Sequence, residues 1–257
     1  MKQEEMNILV PQKLNEIEKE YNVTVLWAVE SGSRAWGFAS EDSDFDVRFI
    51  YKREPSAYLK LKADRDVIEL PVDDTWDVNG WDLDKTLILL NRSNPTLYEW
   101  MNSPVKYVET GFRQRIDPLL KTCFSEKKML YHYLSTARRT IHNFLQKEQV
   151  VPKKYFYALR PLLACRWIME NHTEPPVLFR DLTETVLPEH MKPFIDRLLD
   201  LKLHGPEKMK IAPIGEIDSF LGEEILTAES YLHTLEDPHE SSWEKLDTFF
   251  LEEIGMR

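Results

Sequence analysis

The sequence predicts an α+β protein: a small mixed, mostly antiparallel sheet with helices, followed by an all-α half. Two observations carry this expectation. The first 110 residues alternate short helical patterns with β-branched and aromatic runs, whereas beyond Gly111 nearly every segment repeats apolar residues at helical spacing. The boundary is therefore placed near Gly111, with residues 1–110 as one domain and 111–257 as a helical second one.

Taken in order, residues 11–20 read as an amphipathic helix carrying Leu14, Ile17 and then Tyr21 on one face, and Val23 to Val29 as a strand. Ser40 to Ser43 form a polar turn in which Glu41 and Asp42 are solvated. A second strand follows in which Phe45, Val47 and Phe49 alternate with Asp44, Asp46 and Arg48. Two more strand candidates, Asp66 to Pro71 and Thr75 to Asn79, are joined by a hairpin turn at Val72-Asp73-Asp74. Asp82 caps a helix reaching Asn91, its acid and that of Asp84 being favoured by the helix dipole. Asn94-Pro95 starts another helix through Met101. Helices are then expected over 126–146, 153–170, 178–186, 190–203 and 216–235, with Pro161 bending the second of them.

Composition narrows the function. With 42% hydrophobic and 30% charged residues and only 8 Gly in 257, the chain can bury a sizeable core, which excludes collagen-like, low-complexity and small disulfide-scaffold readings. Thirty-three Lys and Arg against 44 Asp and Glu leave a net charge of −11, so a nucleic-acid partner requires a local basic patch. Cys123 and Cys165 stand in apolar surroundings and read as free thiols. The N-terminal MKQEEMNILV lacks the character of a signal peptide and no segment resembles a membrane span; a cytoplasmic protein without a membrane partner is expected.

The chemistry concentrates in two short motifs. Val29-Glu30-Ser31-Gly32-Ser33-Arg34 ends a strand with small residues whose backbone N–H groups can approach phosphate oxygens. Ten residues after Ser33 stands Asp44-Phe45-Asp46, whose carboxylates fall on one strand face. Two anions held that close call for a cation, and hard oxygen donors suit Mg²⁺. Arg34 and Arg48 are placed to offset phosphate charge, Arg48 alternatively pairing with the aspartates. In the helical half Phe156, Leu159, Leu163 and Trp167 form a core stripe. Lys153, Lys154, Tyr157 and Arg160 lie off it as a basic and aromatic cluster, expected to contact a triphosphate or base from the opposite wall of a cleft. No His pair has zinc-ligand spacing, and His142 follows Arg138 and Arg139 too closely for the Arg-to-His spacing of helical ribonuclease partners.

Gly-Ser, about ten residues, then Asp-x-Asp resembles the signature of the DNA polymerase β superfamily of nucleotidyltransferases. More closely, ESGSRAWGFASEDSDFDVRFIY, GWDLDKTLILLNRSNPTLYEW and KKYFYALRPLLACRWI resemble the bacterial YcgL-type predicted nucleotidyltransferases, some described as RNA-ligase-associated. The resemblance implies transfer of a nucleotidyl group from an NTP, AMP from ATP being slightly favoured, to an acceptor hydroxyl with release of pyrophosphate. It implies that Gly32 and Ser33 hold the β- and γ-phosphates and that Asp44 and Asp46 bind divalent ions, Mg²⁺ or Mn²⁺. A third carboxylate comes from a neighbouring strand; Asp77 in Trp76-Asp77-Val78 is favoured, with Glu69 in Ile68-Glu69-Leu70 as the alternative. RNA 3′ ends, a small metabolite such as an aminoglycoside, and a protein hydroxyl are all compatible acceptors. The competing reading is a non-catalytic NTP–Mg²⁺-binding regulatory or interaction protein associated with RNA repair or a toxin partner.

Overall fold

The computed structural model of the protein describes residues 3–40, 43–71, 76–206, 209–236 and 243–257. The expected turns at Glu41-Asp42 and Val72-Asp73-Asp74 lie outside the described residues. The first elements are α1 (Gln3–Tyr21), β1 (Val23–Glu30), α2 (Gly32–Ala35), β2 (Phe45–Arg53), α3 (Pro55–Tyr58), β3 (Val67–Glu69) and β4 (Trp76–Asp82). Next come α4 (Leu83–Asn91), α5 (Pro95–Met101), β5 (Lys106–Glu109), α6 (Phe112–Cys123) and α7 (Glu126–Thr140), which runs into a π-helical turn at Ile141–Leu145. The chain continues through α8 (Pro152–Asn171), α9 (Phe179–Thr185), α10 (Lys192–His204), α11 (Gly215–Thr234) and α12 (Trp243–Glu253). No helix among the described residues is long and apolar enough to cross a membrane.

The contacts divide the chain into two compact units, and not at residue 111. One comprises Met1–Ala35, Asp44–Cys123 and His239–Arg257; the other comprises Trp36–Ser43 and Phe124–Pro238. Helices α6 and α12 therefore belong with the sheet, because their apolar residues pack there: the ring of Phe112 meets that of Phe249, and α12 packs on α4.

In the first unit the strand order is β3-β4-β2-β1-β5. The β1/β2, β1/β5 and β3/β4 pairs are antiparallel and β2/β4 is parallel, so the sheet is mixed and mostly antiparallel, as expected. Met6, Val10, Leu14 and Ile17 of α1 bury against Phe45, Val47, Phe49 and Tyr51 of β2 and their neighbours. Alternation along β2 then places Asp46 and Arg48 on the opposite sheet face. Gly80 lies opposite Phe49, and any Cβ there would meet the Phe49 ring at 2.2 Å, so the crossing of ring and strand requires glycine. The side chain of Asn94 caps α5 by accepting from Thr96 N–H at 2.9 Å. Asp82 stands at the N-cap of α4 without a side-chain capping bond. Its buried carboxylate instead accepts from Arg53 Nε and Tyr58 Oη, both at 2.6 Å, tying the end of β4 to the end of β2.

In the second unit α7, α8 and α11 pack together, with Phe156, Leu159 and Leu163 of the expected stripe buried; Trp167, its fourth member, is only partly buried, its Nε1 donating to Thr173 Oγ1 at 3.1 Å. Helix α8 passes through Pro161 without ending. Residues 36–40 are pinned within this unit: Phe38 packs on the rings of Phe156 and Phe179, Phe179 N–H donates to Trp36 O at 2.9 Å, and Lys202 Nζ donates to Ser40 Oγ at 2.7 Å.

Candidate active site

Strand β1 ends at Glu30, and the chain turns sharply through Ser31 and Gly32 into the single turn of α2. Gly32 adopts φ +58°, and a Cβ at this position would lie 2.0 Å from Asp46 Oδ2. Glycine is thus demanded twice, by the left-handed backbone and by the carboxylate lying against it. Ser31 N–H donates to Asp46 O at 2.8 Å, which ties this turn to the first residues of β2. The two motifs are therefore one structural object.

The parallel pairing of β2 and β4 puts Asp46 opposite Asp77, with Val47 opposite Val78 and Arg48 opposite Asn79. A single guanidinium joins the acids. Arg48 Nη2 donates to Asp46 Oδ1 at 2.9 Å and to Asp77 Oδ2 at 2.7 Å, and its Nη1 donates to Asp77 O at 2.7 Å. Burial pushes the Asp46 carboxyl above the usual carboxylate range; Arg48 works against the rise, and the charges of Asp77 and Asp44 add to it. Asp44 stands just ahead of β2, its carbonyl accepting from Arg34 Nε at 3.1 Å while the Arg34 guanidinium lies 3.7 Å from the Phe45 ring centroid.

Glu69, the alternative third acid, is not brought to this place. It lies on β3, beyond β4, opposite Asn79, where it pairs with Arg65 and accepts from Asn79 Nδ2 at 3.1 Å. Ser33 sits within α2 next to Gly32.

Beneath the aspartates is an acid that sequence reasoning passes over. Glu30 is fully buried, accepting from Asp46 N–H at 2.7 Å and from Tyr107 Oη at 2.5 Å, and Tyr107 in turn accepts from Gln3 Nε2 at 3.1 Å. Burial raises its pKa to about 7, against the lowering effect of the two hydrogen bonds. An acid ending an apolar run was the available signal.

The basic and aromatic cluster divides. Arg160 is 2% exposed, with its guanidinium donating to Val177 O at 3.3 Å and lying 4.8 Å from the Trp36 ring, so it supports the interior of the helical unit instead of presenting a cation to a triphosphate. The expectation for Arg160 is corrected on that ground: its neighbours on α8 are apolar and Trp36 covers it. Lys154 and Tyr157 are only half-buried, with Lys154 Nζ 5.0 Å from the Tyr157 ring.

The donor chemistry at Asp44, Asp46 and Asp77 consists of carboxylate oxygens, which fits a hard divalent cation. Among the described residues no three metal-ligating side chains form a finished cage, and Arg48 supplies the positive charge between Asp46 and Asp77.

Residues 6–252 match the family model RlaP, the RNA repair pathway DNA polymerase beta family. The chain belongs to this family. Membership in RlaP places it among polymerase β-like nucleotidyltransferases; the family as a whole is described by its link to an RNA repair pathway. It is also 44% identical over 215 residues to the uncharacterized protein YcgL of Bacillus subtilis (strain 168), a match covering 83% of each chain. A crystal structure at 1.90 Å of a nucleotidyltransferase-like protein from Exiguobacterium sibiricum 255-15 aligns over 96% of this chain and 80% of its own. At 12% identity and a TM-score of 0.29, that likeness carries no weight for this RlaP member.

Proposed function

We propose that the protein transfers a nucleoside monophosphate, AMP by slight preference, from an NTP to an acceptor hydroxyl with release of pyrophosphate. The observation that carries this reading is the convergence of Asp46 with Asp77 across the parallel β2/β4 pair, directly against the Gly32 turn. Asp44, Asp46 and Asp77 would hold Mg²⁺ or Mn²⁺. When bound, such ions supply Lewis-acid stabilisation of the attacking and leaving oxygens of an in-line displacement. The backbone at Gly32 and Ser33 orients the β- and γ-phosphates, and Arg34, fixed across Phe45, offsets their charge. Asp77 receives the acceptor hydroxyl's proton as the new O–P bond to the α-phosphate forms; the bond to the β-phosphate breaks and pyrophosphate leaves. Positioning does most of the remaining work, and no covalent enzyme intermediate is needed.

The test is calorimetric titration of the protein with each of the four NTPs and Mg²⁺, repeated on the Asp44→Asn/Asp46→Asn variant. Metal-dependent binding that the variant loses supports the site and identifies the donor nucleotide; an acceptor screen then follows by pyrophosphate release. Binding that persists undiminished in the variant removes the two acids from the reading. Metal-dependent binding with no release for any RNA, small-molecule or protein acceptor favours the non-catalytic alternative.

A further inference from the structure

Within the helical unit, residues 138–160 carry six Lys and Arg against one acid, Glu148, in a chain where acids outnumber bases 44 to 33. The same stretch contains the π-helical turn Ile141–Leu145, a widened turn of a kind that often marks functional positions. Phe144 lies on that turn and remains 38% exposed. Around it rings and cations alternate: Lys147 Nζ lies 5.8 Å and Lys154 Nζ 4.2 Å from the Phe144 centroid, and Lys154 is also 5.0 Å from that of Tyr157. The series is backed from inside, because Tyr157 meets Trp36 edge-on at 5.9 Å and the buried Arg160 lies 4.8 Å from the Trp36 ring.

We infer that this face, with Phe144 and Tyr157 as stacking surfaces and Lys147 and Lys154 as phosphate partners, binds single-stranded RNA. Alternating rings and cations match a strand whose bases and phosphates alternate, and an aromatic ring stacks on any base. A single strand offers its base faces, whereas a duplex keeps them stacked on one another. Tyr157 is held by its edge-on contact with Trp36 before a strand arrives, which lowers the ordering cost of binding at that ring. Arg138 is paired with Glu229 and Arg160 is buried, so the charge offered beside the rings is that of Lys147 and Lys154, attractive to a strand despite the acidic whole. The inference names an RNA acceptor for the transfer proposed above and rests on that reading, but the face lies wholly within the helical unit and its binding is measured without turnover.

The experiment is fluorescence anisotropy of a 5′-labelled single-stranded RNA oligonucleotide titrated with the full chain, without nucleotide, at two salt concentrations. Arms include DNA of the same sequence and an acidic peptide. Salt-sensitive RNA binding is expected, weakened about tenfold or more in Phe144→Ala and in Lys147→Glu/Lys154→Glu. The second variant keeps both rings and reverses two charges, and circular dichroism checks that both variants are folded. Binding is expected to survive in Asp44→Asn/Asp46→Asn, so a failed catalytic reading and a failed RNA face give different patterns. Equal RNA affinity in the parent and both face variants overturns the inference, as does DNA bound at least as tightly as RNA. So does capture of the acidic peptide without RNA, or loss of NTP binding in the face variants with RNA binding intact.

Discussion

Asp46 and Asp77 stand directly opposite one another on two parallel strands, and one guanidinium, that of Arg48, bonds both. A positive charge is thereby held where a divalent ion is proposed to act. Replacing Arg48 with the uncharged Met removes a competitor and leaves two repelling carboxylates seeking another cation. Mn²⁺ titration followed by electron paramagnetic resonance is expected to show about fivefold or tighter binding, roughly 1 kcal/mol, in Arg48→Met. Unchanged or weaker binding would refute the competition.

Gly32→Ala is expected to abolish metal-dependent NTP binding while leaving the fold in place. The added Cβ would collide with Asp46 Oδ2 at a backbone φ of +58°. Relieving the contact displaces the acid, and the left-handed conformation costs roughly 1–2 kcal/mol for a residue with a Cβ. Calorimetry reads the first effect and thermal unfolding the second. Retention of parental NTP affinity would show that the contact does not set the acid's position.

The two candidate third carboxylates separate cleanly by mutation. Asp77→Asn is expected to lower transfer about a hundredfold or more, in the range seen for loss of a proton acceptor. Glu69→Gln, one strand further out and paired with Arg65, should leave transfer near the parental rate. Pyrophosphate release on both variants decides between them, and equal losses would return Glu69 to consideration.

Glu30 makes stability depend on pH. Its pKa rises from 4.5 to about 7 on folding, so the native state holds a proton that the unfolded chain releases. The favourable contribution is complete below about pH 4.5, falls as pH rises towards 7 and is gone above it, a change on the order of 3 kcal/mol. Glu30→Gln does not titrate. Chemical denaturation in chelator should therefore show the variant gaining on the parent between pH 4.5 and 7, with a constant difference at higher pH. A difference that is flat across this window would contradict the burial argument.

Much of this arrangement was legible along the chain, and what was not has a common cause. The alternation of Phe45, Val47 and Phe49 with Asp46 and Arg48 reads as a strand with acids on one face, because a period of two is a local property. Gly32-Ser33 and Asn94-Pro95 are equally local. The partnering of Asp46 with Asp77 depends on register between strands separated by a crossover, and the residues of Trp76–Asp82 say nothing about that direction. Glu30 falls just past the strand expected over Val23 to Val29, and its burial depends on Tyr107, from the short edge strand β5, which donates to it. Arg160 reads as one of the cations of a cluster facing a triphosphate or base, and the ring that lies against it, Trp36, comes from far earlier in the chain. Burial of polar groups is set by distant partners, which a periodicity does not name.

The passage of residues 36–43 through the helical unit has a consequence for how such a protein can diversify. The chain changes units at Ala35/Trp36, Ser43/Asp44, Cys123/Phe124 and Pro238/His239. The helical part is therefore interlaced with the sheet part in sequence and cannot be exchanged as a cassette by one genetic junction. A fragment ending at Cys123 would keep Trp36 and Phe38 but lose the rings of Phe156 and Phe179 that cover Phe38, and it would also lack α12. A single junction anywhere between residues 36 and 238 would divide at least one of the two units.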